Sequence, residues 1–478
     1  MLSNLGFRSI TRRTPVILTN QATRATFYSA HVCHKVVAEK EAADISPFGR
    51  LAHGLNTIKS SVLNVSPLRQ ESEKDGDFAP FTGEAATWNQ AIREARGLVK
   101  DNENRLIDPA KLVGKDLGHI KGNIAKLLGS RHPFLNTVAK HYFSGEGKHV
   151  RPLLVLLIAQ ATSIAPKKEQ WRPLDYQSID TPISNGLTNI TAHDVFNEKE
   201  HYTPSVTNQG CTILPTQRRL AEISEMIHTA SLLHDDVIDA SETRRNLPSA
   251  NASFGNKMAV LGGDFLLARA SLALARLRNA ECIELMATCI ANLVEGEFMQ
   301  LKNTQEDSGS GKKMKMNTFD YYMEKTYMKT GSLIAQSCKA SAVLGGSTNE
   351  VADIAYDFGR SIGLAFQLVD DMLDFTVSTA DLGKPAGADL KLGLATAPVL
   401  FAWEEYPELE PLIKRKFANE GDAEKARLLV YQSNGLKKTL GLAESHCKQA
   451  IDALHKLPPS EARSALVQLT EKLLTRRS

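Results

Sequence analysis

The sequence predicts an all-α fold, a large single-domain helical bundle built around a central cavity. Three observations carry that expectation. Apolar residues recur at three- and four-residue steps through Leu220, Ile223, Ile227, Ala230, Leu233 and Val237, and again through Ile354, Phe358, Ile362, Phe366, Val369 and Leu373. That is the period of a helix with one buried face. Alternating β-branched runs are scarce. Residues 258–277 and 283–301 are apolar on more than one face, which predicts buried central helices.

The segments follow in order. From residue 1 to 38 there is no Asp or Glu, and Arg8, Arg12, Arg13, Arg24 and Lys35 are spaced among Ser, Thr and small apolar residues. This is the composition of a mitochondrial transit peptide; a basic tail is the plainer alternative. Residues 39–105 read as an N-terminal extension and linker, with a polar, proline-bearing run at 66–88. The folded body is expected over 106–478. An inserted loop interrupts it at about 165–215, where Pro166, Pro173, Pro182, Pro204 and Pro215 oppose helix. Residues 303–318 and 383–398 also read as loops.

Bulk composition narrows the function. The 478 residues are 42% hydrophobic and 23% charged, as expected of a globular chain. A net charge of +3 gives no basic stripe for nucleic acid. The cysteines are scattered without a CxxC pair, so they read as free thiols. No stretch reads as the ~18 consecutive apolar residues of a membrane span; contact with a membrane surface stays open.

Two carboxylate clusters carry the chemistry. Asp235 and Asp239 in Asp235-Asp236-Val237-Ile238-Asp239 are four apart, one turn on one helix face. Gln367, Asp370, Asp371 and Asp374 share a face in the same way. Both clusters sit in apolar surroundings, where neighbouring carboxylates repel unless a cation lies between them. Oxygen ligands without His or Cys suit Mg²⁺ completed by substrate phosphates. Basic groups answer them: Lys148 and Arg151 before an apolar helix, Arg244-Arg245 after the first cluster, Lys329-Thr330 and Lys384 around the second. Arg offers a planar fork to diphosphate, and Lys a point charge.

These motifs resemble those of the trans-polyprenyl diphosphate synthases. The residues are DDxxD with the Arg pair (Asp235 to Arg245), Gly147-Lys148-His149-Val150-Arg151-Pro152, His228, Gly263-Asp264-Phe265-Leu266, Lys329-Thr330, Phe366 to Asp374, and the Gly-rich stretch from Gly383 to Pro398. The resemblance covers roughly residues 106–478. His149 departs from the Arg or Lys common at its position, and Asn246-Leu247 from the Gly usual after the Arg pair.

The resemblance implies condensation of isopentenyl diphosphate with an allylic diphosphate, farnesyl or geranylgeranyl, toward the ubiquinone side chain. Catalytic roles would fall to Asp235, Asp239, Asp370, Asp371 and Lys329, with Mg²⁺ on Asp235, Asp239, Asp370 and Asp374. Lys148, Arg151, His228 and Arg245 would hold isopentenyl diphosphate. Arg244, Lys329, Thr330, Gln367 and Lys384 would hold the allylic diphosphate. Ala230, five residues before Asp235, would form the floor of a tunnel for a long product. A homodimer or higher oligomer on the matrix side of the inner membrane is also implied. Three rivals stand beside this reading. A di-iron bundle needs a second Glu-x-x-His besides Glu225-Met226-Ile227-His228. A non-catalytic subunit would have lost ligands. A terpene cyclase would not need the second basic set.

Overall fold

The computed structural model describes residues 107–128, 137, 141, 143, 149–174, 176, 179, 203–207, 210–244, 247–302, 318–376 and 387–475. The chain divides into Met1–Glu94 and Ala95–Ser478, and the described residues all belong to the second unit. The expected transit peptide at 1–38, the linker at 39–105, much of the inserted loop, and Lys148, Arg245 and Lys384 lie outside the described residues.

The longer helices among the described residues are α1 (Gly114–Leu127), α2 (Val150–Ser163), α3 (Pro215–Ile238), α4 (Asn256–Arg276), α5 (Ala280–Lys302), α6 (Thr318–Thr326), α7 (Ser332–Leu344), α8 (Asn349–Thr376), α9 (Ala397–Trp403), α10 (Asp422–Gln432), α11 (Gly435–His455) and α12 (Glu461–Leu474). A π-helical turn, Tyr327–Gly331, joins α6 to α7. The all-α expectation holds. The described β-structure is two antiparallel pairs of two-residue strands, Ser205–Val206 with Thr212–Ile213, and Thr243–Arg244 with Leu247–Pro248.

Local chemistry sets the helix starts. Pro215 opens α3, where its missing N–H costs nothing, and the Gln217 side chain accepts the Leu214 N–H at 2.9 Å. Ser460 caps α12 through the Arg463 N–H at 3.1 Å. Buried charges near the start of α3 are paired: Arg219 with Glu222 at 2.6 Å and Arg218 with Asp116 at 2.8 Å.

The central helices are α2 and α7. Residues 152–162 of α2 are all buried, as is every residue of α7 except Lys339. Helix α7 packs against α2, α3, α5 and α8. Helices α4 and α5, expected to be central, are not. Val260 and Leu261 on α4, and Val294, Phe298 and Leu301 on α5, are exposed. Helix α4 packs one face on α3 and presents apolar residues on the other, which is why its sequence reads apolar all round. By length and composition α4 could also cross a membrane, with a mean hydropathy of 1.5 over its most apolar window. The sequence reading found no such stretch because Lys257, Asp264 and Arg269 interrupt it. Phe375 at the end of α8, with Leu390, Val399, Leu409, Leu412 and Val430 beyond it, forms a separate small core.

Two glycines permit close approaches that the site depends on. A Cβ at Gly263 would lie 2.2 Å from His234 Nε2, so a larger residue there would displace the imidazole that adjoins the first aspartate motif. A Cβ at Gly363 would lie 2.8 Å from the Gly331 Cα, where α8 meets the π turn backbone to backbone.

Candidate active site

A cavity of about 930 Å³ opens between α2, α3, α6, α8 and α12. Asp235, Asp239, Asp370, Asp371, Lys329, Thr330, Gln367, Arg151, His228 and Arg244 all line it. Residues predicted from segments hundreds of positions apart thus face one space.

Both aspartate clusters lie at helix C-termini. Asp235 is in the last turn of α3 and Asp239 is its C-cap; Asp370 and Asp371 precede the end of α8 at Thr376. A helix C-terminus is the negative pole of the helix dipole and favours cations. Neither α3 nor α8 has a basic residue in its last turn. Asp235 is accordingly pushed up to about 6, by burial first and then by Glu297 and Asp239, against Lys329 and Arg244. Asp239 is raised too, again chiefly by burial. These carboxylates lack a full set of counter-charges. Among the described residues no three His, Cys, Asp or Glu side chains converge as a ready-made metal cage. That donor set fits Mg²⁺, which takes one or two carboxylates and leaves the remaining positions to water and phosphate.

The second half of each motif is turned inward. Asp236 is fully buried and accepts from Arg244, Nη2 at 2.6 Å and Nε at 2.7 Å. Asp371, also buried and raised mainly by burial, accepts from the Tyr322 hydroxyl and from Gln367 Nε2 at 2.8 Å. Gln367 Oε1 in turn accepts from the Thr330 hydroxyl at 2.9 Å. In the first doublet Asp235 faces the cavity and Asp236 holds Arg244; in the second both acids line the cavity, and Asp371 also holds Tyr322 and Gln367.

Replacing Arg244 by Met should destabilise the fold by about 3 kcal/mol, because it removes the cation paired with a fully buried carboxylate. Urea unfolding midpoints would check this. A loss below about 1 kcal/mol, the worth of a surface pair, would contradict it.

Two expected site residues are placed elsewhere. Asp374 does not line the cavity; its carboxylate accepts from the backbone N–H of Ala388 and Asp389, both at 3.2 Å. It holds the one-turn helix Ala388–Lys391 against the end of α8. Ala230 is fully buried, and its neighbour Ser231 reaches the cavity wall where it does not.

Several cavity residues were missed. Lys329 Nζ lies 2.5 Å from Glu297 and 2.9 Å from Gln300 on α5. Tyr322, Lys325, Thr326 and Asp389 are on the wall. The signal for two of them was present: Lys325-Thr326 repeats Lys329-Thr330 four residues earlier. His149 enters α2 with φ 43°, a strained value for a non-glycine residue, and its Nδ1 lies 3.1 Å from Glu225.

An all-helical body whose cavity gathers two acidic helix ends and a basic set defines an isoprenoid synthase, a prenyl-transferring enzyme. The polyprenyl synthetase family model matches residues 204–430. The chain is 57% identical over 444 residues to the probable mitochondrial hexaprenyl pyrophosphate synthase of Neurospora crassa, covering 89% of this chain and 97% of that one. It is 48% identical to the mitochondrial hexaprenyl pyrophosphate synthase of Saccharomyces cerevisiae, covering 77% and 91%. Among solved structures, a polyprenyl synthase from Caulobacter crescentus, complexed with calcium and isoprenyl diphosphate, superposes with a TM-score of 0.61 at 29% identity, covering 77% of this chain and 97% of that one. The chain belongs to the polyprenyl synthetase family.

Proposed function

We propose that this protein is the mitochondrial trans-polyprenyl diphosphate synthase that adds isopentenyl diphosphate units to farnesyl or geranylgeranyl diphosphate, making hexaprenyl diphosphate for the ubiquinone side chain. The observation that carries the reading is the meeting of two acidic helix ends with Lys329, Arg244 and Arg151 around one cavity. The names of the Neurospora crassa and Saccharomyces cerevisiae relatives support the product length and compartment.

Asp235, Asp239 and Asp370 would hold Mg²⁺, which supplies Lewis-acid neutralisation of the allylic diphosphate. Asp374 acts one step removed, by fixing the turn that carries Asp389. Lys329, Thr330, Gln367 and Arg244, with Lys384, bind the allylic diphosphate. Arg151 and His228, with Lys148 and Arg245, orient isopentenyl diphosphate. The allylic C–O bond breaks and its electron pair stays on the diphosphate oxygen. The double bond of isopentenyl diphosphate attacks the resulting carbocation, and the adduct loses a proton from C2 to the released diphosphate. Catalysis here is positioning and fixed charge in a desolvated site.

Residues 1–38 would act as the presequence, 39–105 as a linker and 106–478 as the catalytic domain, on the matrix side and peripheral to the inner membrane. The exposed apolar residues of α4 and α5 support a homodimer formed through those helices, since single chains rarely leave such patches uncovered.

The direct test is incubation with farnesyl diphosphate, labelled isopentenyl diphosphate and Mg²⁺, with chromatography of the dephosphorylated products. Absence of any elongated product defeats the reading. Metal removal gives a second expectation. Dialysis against EDTA abolishes turnover, and Mg²⁺ restores it. Mg²⁺ together with inorganic diphosphate raises the melting temperature more than Mg²⁺ alone, because phosphate oxygens complete the coordination. Equal shifts by scanning calorimetry would mean a preformed metal cage instead.

A further inference from the structure

Lys325 has no role in the site described above, yet it is nine-tenths buried and its side chain lies on the cavity wall. It sits one helical turn before Lys329. The two ammonium groups differ in their partners. Lys329 is met by Glu297 and Gln300. Among the described residues Lys325 makes no hydrogen bond or ion pair; the face of the Tyr322 ring lies 5.7 Å from its Nζ. Tyr322 spends its hydroxyl on Asp371, so the ring is fixed beneath the ammonium.

A desolvated ammonium without a bonded anion is costly. Burial, and then Lys329, hold Lys325 below lysine's usual range, whereas Asp371, Asp389 and Glu297 favour its charge. Those acids act on it through space, and none closes an ion pair. The arrangement is that of a cation kept for an incoming anion, and the anions of this cavity are diphosphates. Of the surrounding groups, Lys329 is assigned to the allylic diphosphate, and Asp371 holds Gln367, which is assigned to it as well.

We propose that Lys325 is a catalytic residue that binds the allylic diphosphate directly and takes up negative charge as that group departs. The inference rests on the synthase reading. When the C–O bond breaks, the electron pair stays on the diphosphate, and the added charge falls on oxygens within reach of Lys325 and Lys329. Two lysines one turn apart then share the leaving group, one neutralised in advance by Glu297 and one not.

The test compares the full-length K325M, K325Q and K325R proteins with the unaltered protein in Mg²⁺. Four quantities are read: kcat, KM for farnesyl diphosphate, KM for isopentenyl diphosphate, and the inhibition constant of inorganic diphosphate. K325M and K325Q should lose about 10²-fold in kcat, the scale of one preorganised charge donor. Inhibition by inorganic diphosphate should weaken at least about tenfold, and KM for isopentenyl diphosphate should stay within about twofold. K325R should recover most of both losses, since it keeps the charge. If K325M folds poorly, K325Q carries the comparison, because a neutral amide keeps a polar group at the cavity wall without the charge. Unchanged diphosphate inhibition in K325Q overturns the proposal. So does an equal rise in both KM values with a lowered melting temperature, which marks a structural role. An unaltered protein that makes no elongated product defeats the synthase reading instead.

Discussion

Asp235→Asn abolishes chain elongation while making the protein more stable. The carboxylate stands at the negative end of α3, largely buried, facing Asp239 and Glu297. Without substrate its charge is a burden: burial pushes its pKa up to about 6, so at neutral pH the folded state holds an anion that the unfolded chain would hold more easily. Asparagine removes that charge at nearly the same size. A gain of about 1–2 kcal/mol is expected, a discounted reading of a displacement worth about 1.4 kcal/mol per unit in which the attraction of Lys329 and Arg244 is already included. Activity moves the other way. On the proposed reading Asp235 is one of the oxygen donors for Mg²⁺ on the allylic diphosphate, and kcat/KM should then fall by at least about 10³-fold, the upper range for one preorganised group. Steady-state kinetics and thermal melts on the same preparation check both halves. Activity within about tenfold of the unaltered protein would remove Asp235 from the metal site.

Ala230→Phe should change what is made rather than whether anything is made. Position 230 lies about 7.5 Å along α3 from Asp235, at ~1.5 Å per residue, on the side away from the acidic end. Its methyl group is fully enclosed, so a phenyl ring finds no space in the core. It either forces helices apart, at about 1–3 kcal/mol, or turns toward the cavity wall at Ser231 and Leu232. In the second case it obstructs a growing chain without touching either diphosphate. The first condensation should run near the normal rate, and reverse-phase chromatography of the dephosphorylated products should show shorter chains. An unchanged product distribution would mark Ala230 as packing only.

Much of this site was legible in the sequence because function and helix periodicity share the same positions. In α3 and α8 the acids recur at the same three- and four-residue steps as the apolar stripe, so motif and helix could be read together. What was not legible turns on tertiary context. Asp374 shares the register of Asp370 and Asp371, but the turn at Ala388 lies against it and its oxygens go to backbone N–H groups. Helices α4 and α5 read as central because composition reports that a face is apolar, not what covers it. The burial of Asp236 under Arg244 depends on a short hairpin after α3 that local pattern does not announce. Lys325 carried a signal, since Lys325-Thr326 repeats Lys329-Thr330, but its burial just before a helical break, the π turn, has no signature in the spacing of apolar residues.

That break also has an evolutionary reading. A π turn such as Tyr327–Gly331 is an α-helix with a residue inserted, and such turns gather at functional sites. The added residue shifts everything after it by about 100° and 1.5 Å relative to an uninterrupted helix. Helix α7, almost entirely buried, lies directly downstream, and at the junction a Cβ on Gly363 would meet the Gly331 Cα at 2.8 Å. The length of this segment is therefore as constrained as its identity. The count of residues between Tyr322 and Ser332 matters as much as which side chains they carry, because it keeps two lysines on the wall and the following core in register.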